Sequence, residues 1–137
     1  MKTVSNLISG SDDELLSFGD FTQDEKKKFN DFDYRGDMYY VKTFKEITKL
    51  EKNGMFEFEA VPGCAVFDYE SDVDYKAFDV TGNGDTQIVV AVEDGAEYAL
   101  YINGELADET FVDISGKFCI NVTLDPDVPV TIELERR

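Results

Sequence analysis

Aromatic and cationic side chains alternate over residues 26–44, and this mixture could bind a polyhydroxylated ligand. The aromatic residues are Phe29, Phe32, Tyr34, Tyr39, Tyr40 and Phe44, and the cations among them are Lys26, Lys27, Lys28, Arg35 and Lys42. Tyrosine faces stack on the apolar faces of sugar rings, while charged side chains bond sugar hydroxyls or pair with uronate carboxylates. The Phe residues are better explained as core and the lysine run as a solvated face. The candidate ligand contacts are therefore Tyr39, Tyr40, Arg35 and Lys42.

Tyr101 is a further candidate contact. In the segment 98–102 the apolar phase is Tyr98, Leu100 and Ile102, so Tyr101 should face the other side of its strand. An outward tyrosine on a sheet can be a ligand platform or a dimer contact. Tyrosine is also common in strands simply because of its high β-propensity.

The segment 79–85 (DVTGNGD) places oxygen-bearing side chains around two glycines. Asp79, Asn83 and Asp85 are the ligand types that calcium prefers, so they form a candidate structural calcium site. The spacing is not that of an EF-hand, and an ordinary glycine-rich turn explains the same residues.

The residue types that are missing exclude several kinds of enzyme. The sequence has no His, which removes Ser-His-Asp and Cys-His catalysis as well as His-ligated metal sites. Its two cysteines, Cys64 and Cys119, are too few for a Cys-only zinc site, and we expect two free thiols. Glycine loops of the phosphate-binding type are absent. We therefore expect a non-catalytic protein.

The elements that would position these residues are β-strands. From Met55 onward apolar and polar residues alternate with period 2, and turn residues interrupt the pattern every 8–12 residues. The predicted strands cover 56–60, 65–69, 75–80, 87–93, 98–102, 105–107, 111–114, 118–124 and 128–134. The 87–93 strand should be covered on both faces, Pro129 indicates a sheet edge, and Asn103-Gly104 predicts a type I′ hairpin. The fold class is all-β, an antiparallel, jelly-roll-like β-sandwich.

The first 54 residues differ in composition, because most of the cations lie there and most of the carboxylates follow. We predict a strand over 38–44 and a short helix over 22–32, with Thr22 as the cap and Glu25 closing a capping box. We interpret residues 1–137 as one domain on which the mixed section 1–54 packs.

The net charge of the chain limits the classes of molecule that it could bind. Thirteen Lys and Arg against thirty Asp and Glu give a net charge of −17 over 137 residues, which argues against direct nucleic-acid binding. No apolar run is long enough to span a membrane, and the opening residues do not resemble a signal peptide. An acidic surface could instead serve as a protein-interaction module or an inhibitor that mimics nucleic acid in a partner's basic groove.

Four segments, 76–84, 88–92, 98–104 and 128–134, have short strand and hairpin patterns, and near its start the chain contains Asn6-Leu7-Ile8 and Phe18-Gly19-Asp20-Phe21. Together these segments resemble the jelly-roll carbohydrate-binding modules of secreted plant-cell-wall-degrading enzymes. The resemblance implies polysaccharide binding, an extracellular location and attachment to a larger multi-domain enzyme. The sequence contains no Trp, the usual sugar platform of that family, so tyrosine would have to supply the stacking surface.

Overall fold

The chain folds into two antiparallel sheets. The computed structural model describes residues 2–72, 74–111 and 116–137. In chain order the strands are β1 (Ile8–Ser9), β2 (Leu16–Phe18), β3 (Lys27–Tyr34), β4 (Asp37–Phe44), β5 (Ile47–Lys52), β6 (Met55–Val61), β7 (Cys64–Ser71), β8 (Tyr75–Gly82), β9 (Gly84–Ala91), β10 (Glu97–Ile102), β11 (Glu105–Phe111), β12 (Lys117–Leu124) and β13 (Val130–Arg136). Over these residues one sheet has the order β1-β2-β7-β8-β13-β10-β11 and the other β12-β9-β6-β5-β4-β3. The predicted β-sandwich is confirmed.

Alternate side chains of both sheets fill the space between them, as the period-2 pattern predicts. At the centre of this core the Phe18 and Phe58 rings meet edge to face with their centroids 5.1 Å apart. The Phe58 ring also packs edge to face on Phe78 at 5.7 Å. This aromatic contact joins β2 and β8 of one sheet to β6 of the other.

Tight turns set the strand register. Asn103 and Gly104 have φ values of 52° and 81°, so the predicted type I′ hairpin between β10 and β11 is confirmed. Asn53-Gly54 makes the same kind of turn between β5 and β6. Arg35 and Gly36 do so between β3 and β4, although Arg35 lacks the tolerance of Asn or Gly for a φ of 51°.

The predicted helix over 22–32 is wrong, because residues 27–34 form the edge strand β3. A bulge explains the difference. Phe29 pairs with Val41 and Phe32 pairs with Tyr39, so β3 carries one more residue than β4 between these pairs. The bulge places Phe29 and Phe32 on the same inner side, with their rings 5.8 Å apart, at a spacing that also suits a helix.

Three finer predictions also need correction. Pro129 does not mark a sheet edge, because β13 lies between β8 and β10. The strand predicted over 87–93 has one buried face, while Gln87 on its other face is exposed. Phe111 ends β11, and the rest of the strand predicted over 111–114 lies outside the described residues.

Cys64 is buried and Cys119 is exposed, and both are free thiols as expected.

Candidate ligand-binding cleft

A cleft of about 370 Å³ opens at one end of the sandwich, between the two sheets. One side is formed around the β3–β4 hairpin and the end of β5, and the other by the end of β7 and the start of β8. The lining residues are Leu15, Leu16, Tyr34, Arg35, Asp37, Tyr39, Lys52, Tyr69, Glu70, Ser71, Asp72 and Tyr75. Four of them are tyrosines, so the cleft combines aromatic surface with charged and hydroxyl groups.

The tyrosines are held by packing. Tyr34, Tyr39 and Tyr69 are 8%, 7% and 4% exposed, whereas Tyr75 is half-buried. The Tyr34 and Tyr39 rings meet edge to face at 6.0 Å. This packing keeps the aromatic wall rigid, and it leaves Tyr75 as the cleft tyrosine with the most accessible surface.

Arg35 joins the cleft to the N-terminal loop. Its Nε donates to the carbonyl oxygen of Ser11 at 3.2 Å, and its guanidinium lies 4.9 Å from the centre of the Tyr34 ring. These contacts hold the left-handed turn residue in place, since a positive φ is unfavourable for arginine. The other lining cation, Lys52, lies 3.6 Å from the carboxylate of Asp37.

A buried polar network lies beneath the cleft. The Glu57 carboxylate accepts from Tyr69 Oη at 2.6 Å, from Lys76 Nζ at 2.9 Å and from Ser71 Oγ at 3.2 Å. Glu57 points inward because it is the extra residue of a bulge, since Leu50 pairs with Phe58 and Glu51 with Phe56. The period-2 pattern over 56–60 would place Glu57 on the outer face together with Glu59, and the bulge turns it inward instead.

Ser71 and Lys76 are in contact within this network. Lys76 Nζ donates to Ser71 Oγ at 2.6 Å and to the Glu57 carboxylate at 2.9 Å, and Lys76 is only 6% exposed. Ser71 Oγ in turn donates to the same carboxylate. The three side chains therefore satisfy one another's hydrogen bonds.

Burial and nearby carboxylates raise the pKa values of three cleft tyrosines. Burial, followed by the charges of Glu57 and Asp37, raises the pKa of Tyr39 to about 12. Burial and the Glu57 carboxylate raise the pKa of Tyr69 well above its ordinary value. Burial and a hydrogen bond to Glu133 also raise the pKa of Tyr75. At neutral pH Tyr39, Tyr69 and Tyr75 therefore keep their phenol protons, and a phenol can both donate and accept hydrogen bonds.

The five predicted contact residues are not in one place. Tyr39 and Arg35 line the cleft. Tyr40 and Lys42 alternate with Tyr39 along β4 and lie half-buried on the outer face of the six-stranded sheet. Tyr101 pairs with Glu133 on the outer face of the seven-stranded sheet and is also half-buried. Tyr39 and Tyr40 face opposite sides, as strand geometry requires.

The candidate calcium ligands are also separated. Asp79 is on β8 and accepts a hydrogen bond from Thr131 Oγ1 at 2.7 Å. Asp85 is on β9, in the other sheet, and accepts from Thr123 Oγ1 at 2.7 Å. Asn83 is exposed in the turn between them. Within the described ranges no three His, Cys, Asp or Glu side chains are grouped closely enough to hold a metal ion.

Sequence reasoning missed most of the cleft. Tyr69 and Tyr75 lie far from the 26–44 cluster in sequence, and only the packing of the two sheets brings them beside it. Lys52 is close in sequence and lies opposite Tyr39 on the neighbouring strand β5. The one local signal was the turn at Arg35-Gly36, where a cation and aromatic residues lie next to a glycine.

Comparisons with protein families, with curated proteins and with solved structures find no match to this chain. In the described part of the chain, none of the helical structure has the length and hydropathy that a membrane span requires.

Proposed function

We propose that this protein is a non-catalytic carbohydrate-binding module and that its ligand occupies the tyrosine-lined cleft. The observation that carries the proposal is the convergence of Tyr34, Tyr39, Tyr69 and Tyr75 with charged side chains in one recess. Sugars offer apolar C–H faces and many hydroxyls, and a site of this composition can contact both. A volume of about 370 Å³ falls within the usual range for small-ligand sites.

The proposed role follows from binding without catalysis. A module that holds a polysaccharide raises the local concentration of an attached catalytic domain near its substrate. Such a role suits an extracellular multi-domain enzyme, as the sequence resemblance implies. Neither a metal ion nor a nucleophile is needed for it.

The test is affinity electrophoresis through gels that contain pectin, xylan, glucan, mannan or chitosan, with two matched variants. Tyr75→Ala removes a half-buried cleft tyrosine, and Tyr101→Ala removes a half-buried tyrosine from an outer sheet face. We expect at least one polysaccharide to retard the protein. Tyr75→Ala should then lose most of the retardation, while Tyr101→Ala should keep it.

Two results would count against the proposal. If Tyr101→Ala or Tyr40→Ala abolishes retardation and Tyr75→Ala does not, the ligand binds an outer sheet face and the assignment to the cleft is wrong. If none of the polysaccharides retards the protein, carbohydrate binding itself is not supported.

The second candidate is an acidic interaction module, favoured by the net charge of −17. Carboxylates at outward positions of the seven-stranded sheet, Asp79, Glu133 and Glu135, would then contact a basic groove of a partner protein. Exposed charge pairs are screened by salt, so partner binding should weaken steeply as ionic strength rises. Binding of an uncharged glycan should change little over the same range.

A further inference from the structure

Four strands lie at the edges of the two sheets in the described part of the chain, namely β1, β11, β3 and β12. β1 has only two residues, β3 contains a bulge, and the register of β11 shifts against β10. β12 is different, because all eight of its residues, Lys117–Leu124, pair with β9 without a break in register. A long and regular edge presents a row of unpaired backbone N–H and C=O groups, so it is a template for another strand.

β12 also lacks the charges that usually protect an edge. The chain has thirty Asp and Glu, yet β12 is the one strand of more than three residues, among those that the structure describes, without a carboxylate. Its outward side chains are exposed, and they are Lys117, Cys119, Asn121 and Thr123. A second strand can therefore approach this edge without meeting a row of negative charges.

We infer that a second copy of this chain occupies this edge, and that the two β12 strands pair antiparallel about a two-fold axis at Asn121. Side chains that lie opposite each other in a sheet point to the same face, so the inward residues of the two strands must be matched. In this register Phe118 of each copy lies opposite Leu124 of the other, and Ile120 lies opposite Val122. The two six-stranded sheets then join into one sheet with apolar side chains on its inner face.

The outward residues also match in this register, which favours a second copy over an unrelated strand. Cys119 lies opposite Thr123, and Lys117 lies opposite Asp125, the exposed residue that follows β12. Lys117 Nζ is 4.6 Å from the centre of the Phe56 ring and forms no ion pair with the described residues, so it can accept an acidic neighbour. The pairing is therefore complementary in charge, and it sets no like charges directly opposite each other.

Pairing through β12 leaves the candidate cleft open. The cleft lies beside the β3–β4 hairpin, and β3 and β12 are opposite edges of the six-stranded sheet. The dimer would therefore carry two accessible clefts. One strand from each copy makes a small interface, and both copies carry a net charge of −17, so the association should be weak and should strengthen with salt.

The experiment is sedimentation velocity of the whole chain from about 5 to about 500 µM, in about 0.15 M and about 0.5 M sodium chloride. A reducing agent keeps the exposed thiol of Cys119 from forming a disulfide. We expect a monomer–dimer equilibrium with a dissociation constant of about 100 µM at the lower salt concentration. At the higher salt concentration the dissociation constant should fall about threefold, because the repulsion between the copies is screened.

Two variants of equal charge locate the contact at the lower salt concentration. Asn121→Lys places two lysines opposite each other at the two-fold axis, so it should weaken the dimer about fivefold. Gln87→Lys changes the exposed residue opposite Asn121 on β9, one strand inside the edge, and should not weaken the dimer. Both variants make the net charge less negative by the same amount, so general repulsion alone would strengthen both dimers. Circular dichroism shows whether each variant folds like the parent chain.

Each outcome decides for or against the inference. A parent chain that stays monomeric up to about 500 µM at both salt concentrations overturns it, whether or not the variants fold. Equal dissociation constants for the two variants would place the contact elsewhere on the molecule and would also overturn it. A dimer that Asn121→Lys weakens and Gln87→Lys does not supports pairing through β12. The inference does not depend on carbohydrate binding, which gel retardation tests separately.

Discussion

At the level of single residues, the contact between Glu57 and Lys76 is the most consequential charge pair in the described structure. Their side chains are 10% and 7% exposed and 2.9 Å apart. Lys76→Met would leave the Glu57 carboxylate buried without its counter-charge, so it should lower the free energy of unfolding by about 3 kcal/mol. Urea denaturation at neutral pH measures this loss.

A second pair provides the control. Lys49 and Glu51 lie 3.5 Å apart but are about one-third exposed, and Lys49→Met should cost less than about 1 kcal/mol. Combining Glu57→Gln with Lys76→Met should recover part of the loss, because no unpaired charge then remains buried. A Lys76→Met variant no less stable than Lys49→Met would contradict the assignment.

Tyr39 gives a prediction about alkaline pH. Its phenol keeps its proton in the folded protein to a pKa of about 12, whereas an unfolded tyrosine releases it near the ordinary value of 10.0. The stabilisation is therefore fully present below pH 10 and is lost as the pH rises from about 10 to 12. Tyr39→Phe should make the unfolding free energy fall less steeply over this range, as urea denaturation at several pH values would reveal. An unchanged slope would show that Tyr39 is not the group responsible.

At the level of elements, alternation predicted the strands well and failed at bulges. Strands β4, β6 and β12 lie close to their predicted positions. In β3 and β6 an added residue shifts the phase, which made β3 resemble a helix and hid the inward direction of Glu57. A bulge depends on the partner strand, so a single sequence does not reveal it.

The cleft was only partly predictable, because its walls come from strands that are distant in sequence and meet only in the folded protein.

Strand pairing also predicts an unfavourable contact. Lys42 on β4 is directly opposite Lys28 on β3 and Lys49 on β5, which aligns three like charges across the outer face of the six-stranded sheet. Lys42→Thr should raise the free energy of unfolding by about 0.5 kcal/mol, since like charges opposite each other destabilise a sheet. Thermal or urea denaturation in dilute buffer would measure it.

The control for this effect is Lys26→Thr, which removes the same charge from an exposed position before β3. It should not stabilise the protein, because Lys26 lies outside the aligned row. The gain from Lys42→Thr should shrink in about 0.5 M sodium chloride, where repulsion is screened. A gain that does not depend on salt would point to strand propensity instead.

At the level of the whole molecule, a net charge of −17 on 137 residues makes self-repulsion a general cost of folding. Unfolding moves these charges apart, so screening should favour the folded state. The free energy of unfolding should therefore rise by about 1 kcal/mol between dilute buffer and about 0.5 M sodium chloride. Replacing the exposed Lys26 and Lys45 with Glu makes the net charge more negative and should steepen this rise. If stability instead falls with salt, favourable ion pairs at the surface, such as Lys52 with Asp37, outweigh the general repulsion, and the acidic surface is then better balanced than its formal charge suggests.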